Sequence, residues 1–138
     1  VEKDGINNQL LFYMSKEYVV NQIFMEMEPR PKYYNCSQGT WESFEVEEGF
    51  EKPTREVFEA RFQELYALEP IRRLGIERDI RIRQTDWIFT TDVPPMTEEK
   101  LQEWKTYRQA LRDLPSGATP TLADDGVELL GVTWPLPP

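Results

Sequence analysis

The sequence predicts an α+β chain that is mostly helical, with an irregular, short-strand N-terminal part and a C-terminal helix–loop–helix module. Apolar residues recur at spacings of three and four in several segments bounded by capping residues and prolines. Only residues 32–50 break into irregular alternation of aromatic and polar side chains. The charge follows the same divisions: residues 1–53 carry 5 basic and 10 acidic side chains, residues 54–115 carry 11 and 12, and residues 116–138 carry none and 3. This organisation suggests an N-terminal accessory region, 1–53, followed by a helical module, 54–138, that ends in an extended Pro-rich tail.

In the first region Ser15 precedes Val19, Val20, Ile23, Phe24 and Met27, which share one helical stripe, and Pro29 closes the segment. Ser15 is the expected cap, since its hydroxyl can accept from the orphan amides of a first turn. The β-branched content also fits a strand, but helix is preferred. Thr40–Val46 reads as a short strand after a Gln38-Gly39 turn, with Trp41 on one face. Glu45, Glu47, Glu48 and Glu51 then form a solvated edge.

Thr54 caps a helix whose face is Val57, Phe58, Phe62, Leu65 and Leu68, with Glu56 in its first turn. Pro70 disfavours helical geometry at Glu69, so the helix stops or kinks and restarts with Pro70 in the new first turn. Ile71, Leu74 and Ile82 continue to about Gln84, although Gly75 costs about 1 kcal/mol in a helix interior and Ile80–Arg83 also fits strand alternation. Thr97 caps a further helix carrying Leu101, Trp104, Tyr107, Leu111 and Leu114. Glu98 and Glu99 complement the dipole at its start, Arg108 and Arg112 do so at its end, and Pro115 stops it. Lys100 stands where the Glu or Gln of a capping box would be. Residues 116–125 are turn-rich, residues 127–134 form a short strand or extended arm, and Pro135-Leu136-Pro137-Pro138 is extended.

With 138 residues, no His and a net charge of −9, the chain lacks Ser-His-Asp and Cys-His arrangements and any His-ligated metal site. The acidity argues against a protein that tracks nucleic-acid phosphates. The single Cys36 points to a reducing interior and has no resolving partner. The longest apolar run, Leu10–Met14, is far short of the roughly 20 residues of a membrane span, and no export signal opens the sequence. No Gly-rich phosphate cradle occurs. Asp86 and Asp92 bracket Trp87 as an acid/base pair would, but turn and capping roles explain them better. Asp124-Asp125 before Gly126 reads as a turn rather than a cation loop. Arg72, Arg73, Arg78, Arg81 and Arg83 interleave with Glu69, Glu77, Asp79 and Asp86, which fits helical ion pairs. No catalytic, metal-ligating or cofactor-binding residue is expected.

From residue 70 the chain reads PIRRLGIERDIRIRQTDWIFTTDVPPMTEEKLQEWKTYRQALRDLP, followed after a loop by GVTWP. Arg78, Arg81, Thr85-Asp86-Trp87, Asp92-Val93-Pro94, Trp104, the run Tyr107–Pro115 and Trp134-Pro135 together resemble the tail assembly chaperone family of tailed bacteriophages. The resemblance covers about half of the chain, and residues 1–53 lie outside it. It implies a non-enzymatic protein that binds a phage tail or tail-fibre protein during assembly in the host cytoplasm. The alternative is a structural component retained in the virion, and a small carboxylate-based enzyme is a remote third reading. The resemblance requires no cofactor, nucleic acid or membrane, and it is compatible with a homo-oligomer. The residues available for partner binding are Trp87, Trp104, Tyr107, Arg108, Leu111 and Trp134, although Trp104 and Leu111 fit a helix–helix core better. The tail ending in Trp134-Pro135 could pack against the same aromatic platform.

Overall fold

The computed structural model describes residues 8–124, 126 and 128–138, with side chains described from Ser15 onward. The architecture is α+β: four α-helices dominate, accompanied by two small antiparallel sheets of two strands each. The chain divides into two compact units, one running to Glu69 and including 124–127, the other made of 70–123 and 128–138. The helix Arg55–Tyr66 falls in the first of these units.

In the first unit, α1 (Asn8–Met25) starts earlier than Ser15. No Gly or Pro interrupts residues 8–25, so nothing halts helix propagation upstream of Ser15. Ser15 is a buried mid-helix residue, not a cap. The apolar run Leu10–Met14 belongs to this helix, and its side chains lie outside those described. The expected stripe is present: Val19, Val20, Ile23 and Phe24 are buried, and Met27 packs against them.

Strands β1 (Tyr34–Cys36) and β2 (Phe44–Val46) pair antiparallel, with Cys36 opposite Phe44 and Tyr34 opposite Val46. The strand expected over Thr40–Val46 is therefore confined to its last three residues. Residues 40–43 form a turn because the Ser43 hydroxyl accepts from the Thr40 and Gln38 amides, at 3.3 and 3.2 Å, and donates to the Thr40 carbonyl at 3.1 Å. Gly39 has φ of +67°, and a Cβ there would sit 2.9 Å from Lys16 Cβ. Trp41 lies in the turn, its Nε1–H donating to Pro53 O at 2.9 Å, with Lys52 Nζ 3.8 Å from its ring centroid.

The Thr54 hydroxyl caps α2 (Arg55–Tyr66), accepting from the Val57 amide. Phe58 is buried and Phe62 and Leu65 pack beside it, but Val57 and Leu68 are exposed. Val57 lies about 100° around the helix from Phe58, and Leu68 lies beyond the helix end. The core is a continuous run of rings: Phe24, Tyr34, Phe44, Phe58, Phe62 and Tyr66 follow one another at centroid separations of 4.6, 5.6, 5.2, 6.2 and 5.5 Å. Such pairs each contribute about 0.5–1.5 kcal/mol beyond area burial. Arg61 holds Glu26 through two charge-assisted bonds, 2.7 and 2.9 Å, joining α2 to the end of α1. Glu47 accepts from the Lys32 amide at 2.9 Å, while Glu45, Glu48 and Glu51 are exposed as expected.

The chain restarts as α3 (Glu69–Arg83), with Pro70 in its first turn. Leu74 is fully buried, whereas Ile71 is exposed, so the stripe of this helix is narrower than its sequence suggests. The strand alternative over Ile80–Arg83 is not adopted. Gly75 lies in the helix, with nothing within 4 Å of where a Cβ would stand. Of the expected arginine pairs, Arg78 meets the adjacent Asp79 at 2.7 Å. Arg73 is buried and Arg81 stacks on an aromatic ring.

A 3-10 turn (Asp86–Phe89) leads to α4 (Glu98–Gly117), whose Thr97 cap accepts from the Lys100 amide at 3.1 Å. Pro115 does not stop α4, which runs two residues further and closes with the Ala118 amide on Leu114 O at 3.1 Å. Proline removes one donor but its φ remains helical, and so close to the end the lost bond is a small defect. Consequently Arg108 and Arg112 are not in the last turn. Strands β3 (Thr121–Leu122) and β4 (Leu129–Leu130) form a second hairpin, with Thr121 opposite Leu130. β3 falls in a segment read only as turn-rich. Asp125 and Val127 lie outside the described residues.

Candidate partner-binding face

The second unit builds its aromatic face around Arg108. The carbonyls in the last turn of a helix lack intrahelical donors, and the Ile82 carbonyl near the end of α3 is one of these. It accepts from the Thr85 amide at 3.0 Å, from the Thr85 hydroxyl at 2.7 Å and from Arg108 Nη1 at 3.0 Å. The same Nη1 donates to Thr85 Oγ1 at 2.6 Å and to Asp86 Oδ1 at 2.7 Å. Arg108 on α4 thus caps α3 and fixes the first two residues of the TDW segment. Its side chain is only 12% exposed, although the Asp86 carboxylate is largely solvated.

With Thr85 and Asp86 held, the 3-10 turn points Ile88 inward and leaves Trp87 and Phe89 outside. Ile88 is 3% exposed, Trp87 47% and Phe89 52%. The guanidinium of Arg108 also lies 5.0 Å from the Phe89 ring centroid. Trp87 meets Trp104 edge-on at 6.0 Å, and Trp104 meets Tyr107 edge-on at 5.9 Å. These T-shaped contacts match the preference set by the ring quadrupole.

The six residues singled out from the sequence therefore occupy different depths. Trp87 is open to solvent, while Trp104, Arg108 and Trp134 are partly covered. Tyr107 is nearly buried and Leu111 fully so, which places Leu111 behind the face as its packed support. Trp134 stands apart from the Trp87–Trp104–Tyr107 chain and carries the Arg81 guanidinium over its ring, 4.3 Å from the centroid. Gly131, at φ of +75°, redirects the chain after β4 toward this contact. A Cβ at Gly131 would stand 2.6 Å from the Thr119 carbonyl oxygen. Beyond Trp134, residues 135–138 run beside α4, where Pro135, Leu136 and Pro138 line a groove with Gln102, Thr106 and Tyr107.

Three contributors escaped sequence reasoning. Ile88 and Phe89 depend on the rotation of a short 3-10 turn, which has no periodic signature. The role of Arg81 depends on a residue far along the chain. Asp86 is committed to Arg108, and Asp92 is exposed. Among the described residues there is no cluster of His, Cys, Asp or Glu that could hold a metal ion. Among them no helix is long and apolar enough to cross a membrane.

Residues 71–138 match a family model described as phage tail assembly chaperone protein. Comparison with curated proteins and with solved structures gave no match.

Proposed function

Residues 71–138 belong to the phage tail assembly chaperone family, whose members are non-enzymatic, and from that membership we propose that the chain binds a tail or tail-fibre protein before it joins the growing particle. Membership implies tail proteins as partners; the aromatic face is our candidate for the contact, with Trp87 and Trp104 at its surface, Tyr107, Arg108 and Leu111 supporting it, and Trp134 as a separate contact on Arg81. The observation that carries this reading is Trp87, held half-exposed by a packed neighbour and an anchored turn. A large aromatic ring fixed at the surface contributes binding area with little further loss of conformational entropy. Interfaces concentrate their energy in such tryptophans and arginines.

The acidic residues 1–53 serve in this reading as an accessory region that biases partner choice through repulsion as well as attraction. The helical module 54–138 carries the contact, and the setting is the host cytoplasm during assembly. Co-expression with the tail and fibre proteins of the same phage tests the proposal by co-purification. One of them is retained by the chain, and Trp87→Ala reduces retention at least tenfold without changing the thermal melt. Retention of none, or an unaffected Trp87→Ala variant, refutes the contact assignment. Mass spectrometry of purified particles addresses the virion alternative, because stoichiometric incorporation would identify a structural component instead.

A further inference from the structure

A shallow, open groove runs along α4 beside residues 135–138. Glu99, Glu103 and Tyr107 lie on its helix side, and Pro135, Leu136 and Pro138 form the opposite wall. The segment's prolines lack N–H groups, so this wall cannot supply the donor-and-acceptor ladder that adds a strand to a sheet edge. Recognition there must rest on side-chain burial. The helix side supplies carboxylates: Glu103 is shared with Lys100 at 2.9 Å, and Glu99 is a second carboxylate in a chain whose net charge is −9. An occupant with Lys or Arg next to its apolar residues complements this rim.

Leu136 supplies the remaining argument. It is 89% exposed, although it sits in a segment anchored by Trp134 under Arg81 and by the turn at Gly131. An apolar side chain at the open lip of a groove, on a short arm with a fixed base, is placed to fold onto whatever fills the groove. We propose that the space between α4 and residues 135–138 binds a short apolar segment bearing basic side chains, and that Leu136 clasps it. The proposal rests on the chaperone reading and specifies the chemistry of the segment taken from the tail protein.

The test is fluorescence anisotropy with the full chain and two labelled peptides of leucine and proline, one flanked by arginines and one by glutamates. The arginine peptide binds at least tenfold more tightly, and its advantage shrinks with added salt. Leu136→Ser weakens it about tenfold, and the double variant Glu99→Gln with Glu103→Gln removes the preference between peptides. All three side chains are at the surface, so thermal melts of the variants stay close to the parent. Failure of the arginine peptide to bind, equal binding of both peptides, or variants that bind as the parent does overturns the proposal. Co-purification separates the two levels. If the variants retain the tail protein as well as the parent does, the groove assignment falls and the chaperone reading stands. If the parent retains no tail protein, that reading falls whatever the peptides do.

Discussion

Replacing Arg108 with Ala removes one nitrogen that serves three acceptors. Nη1 lies 2.6 Å from Thr85 Oγ1, 2.7 Å from Asp86 Oδ1 and 3.0 Å from Ile82 O. A hydrogen bond involving a charged group contributes about 1.5–3 kcal/mol where the partner is left buried, and Thr85 is 5% exposed. The Asp86 carboxylate is 57% exposed, so solvent screening discounts that contact to roughly 0.2–1 kcal/mol. Because the Thr85 hydroxyl still reaches Ile82 O at 2.7 Å, the carbonyl keeps a donor after the substitution. The expected loss is therefore about 2–4 kcal/mol in total, or roughly 8–32 °C for a unit of this size. Hydrogen exchange of the α4 amides measures the second unit directly. Asp86→Asn is the control and costs no more than about 1 kcal/mol, since it touches only the solvated contact. A loss below about 1 kcal/mol for Arg108→Ala, or equal losses for the two variants, would show that Arg108 is not the anchor described here.

Phe44→Ala removes a fully buried ring flanked by Tyr34 and Phe58, and urea denaturation should show a loss of about 3–5 kcal/mol. Gly75→Ala stabilises by about 0.5–1 kcal/mol, because the site is helical with open space around the added methyl. Gly131→Ala does the opposite, driving its Cβ into the Thr119 carbonyl from a left-handed conformation. Paired thermal melts should separate the two glycines by sign. The bonds from Arg61 hold the Glu26 carboxyl below its ordinary value of 4.5. The stability this confers is present above that unfolded value and is lost as pH falls through the lowered folded one. Glu26→Gln consequently flattens the acid limb of the stability profile, and an unchanged limb argues against the pairing.

Fold class was legible because it rests on apolar periodicity and caps, both local signals. Thr54 and Thr97 cap their helices through the expected hydroxyls, and Val19 to Phe24 form the expected stripe. Boundaries failed where a plausible local signal competed with an uninterrupted helix former. Ser15 resembles a cap, and Pro115 resembles a stop, yet α1 and α4 pass through both. The motif around Thr85-Asp86-Trp87 was legible as a string of residues, whereas its mechanics were not. Arg108 looked like a partner for its own helix dipole, but it reaches back to Ile82, Thr85 and Asp86. Pairings across that separation leave no period in a single sequence. The same holds for Arg81 over Trp134, a contact between one helix and an extended segment that follows a hairpin.

The run of rings from Phe24 to Tyr66 draws on α1, the first hairpin and α2. No single segment supplies more than a part of it, so none has an incentive to order alone, and closure must be nearly all-or-none. All its members are nevertheless translated before residue 71. As chains emerge N-terminus first and fold domain by domain, this run of rings can close on the ribosome while residues from 71 onward are still being synthesised. A nascent chain stalled after Tyr66 has cleared the ribosome should already resist protease between Phe24 and Tyr66.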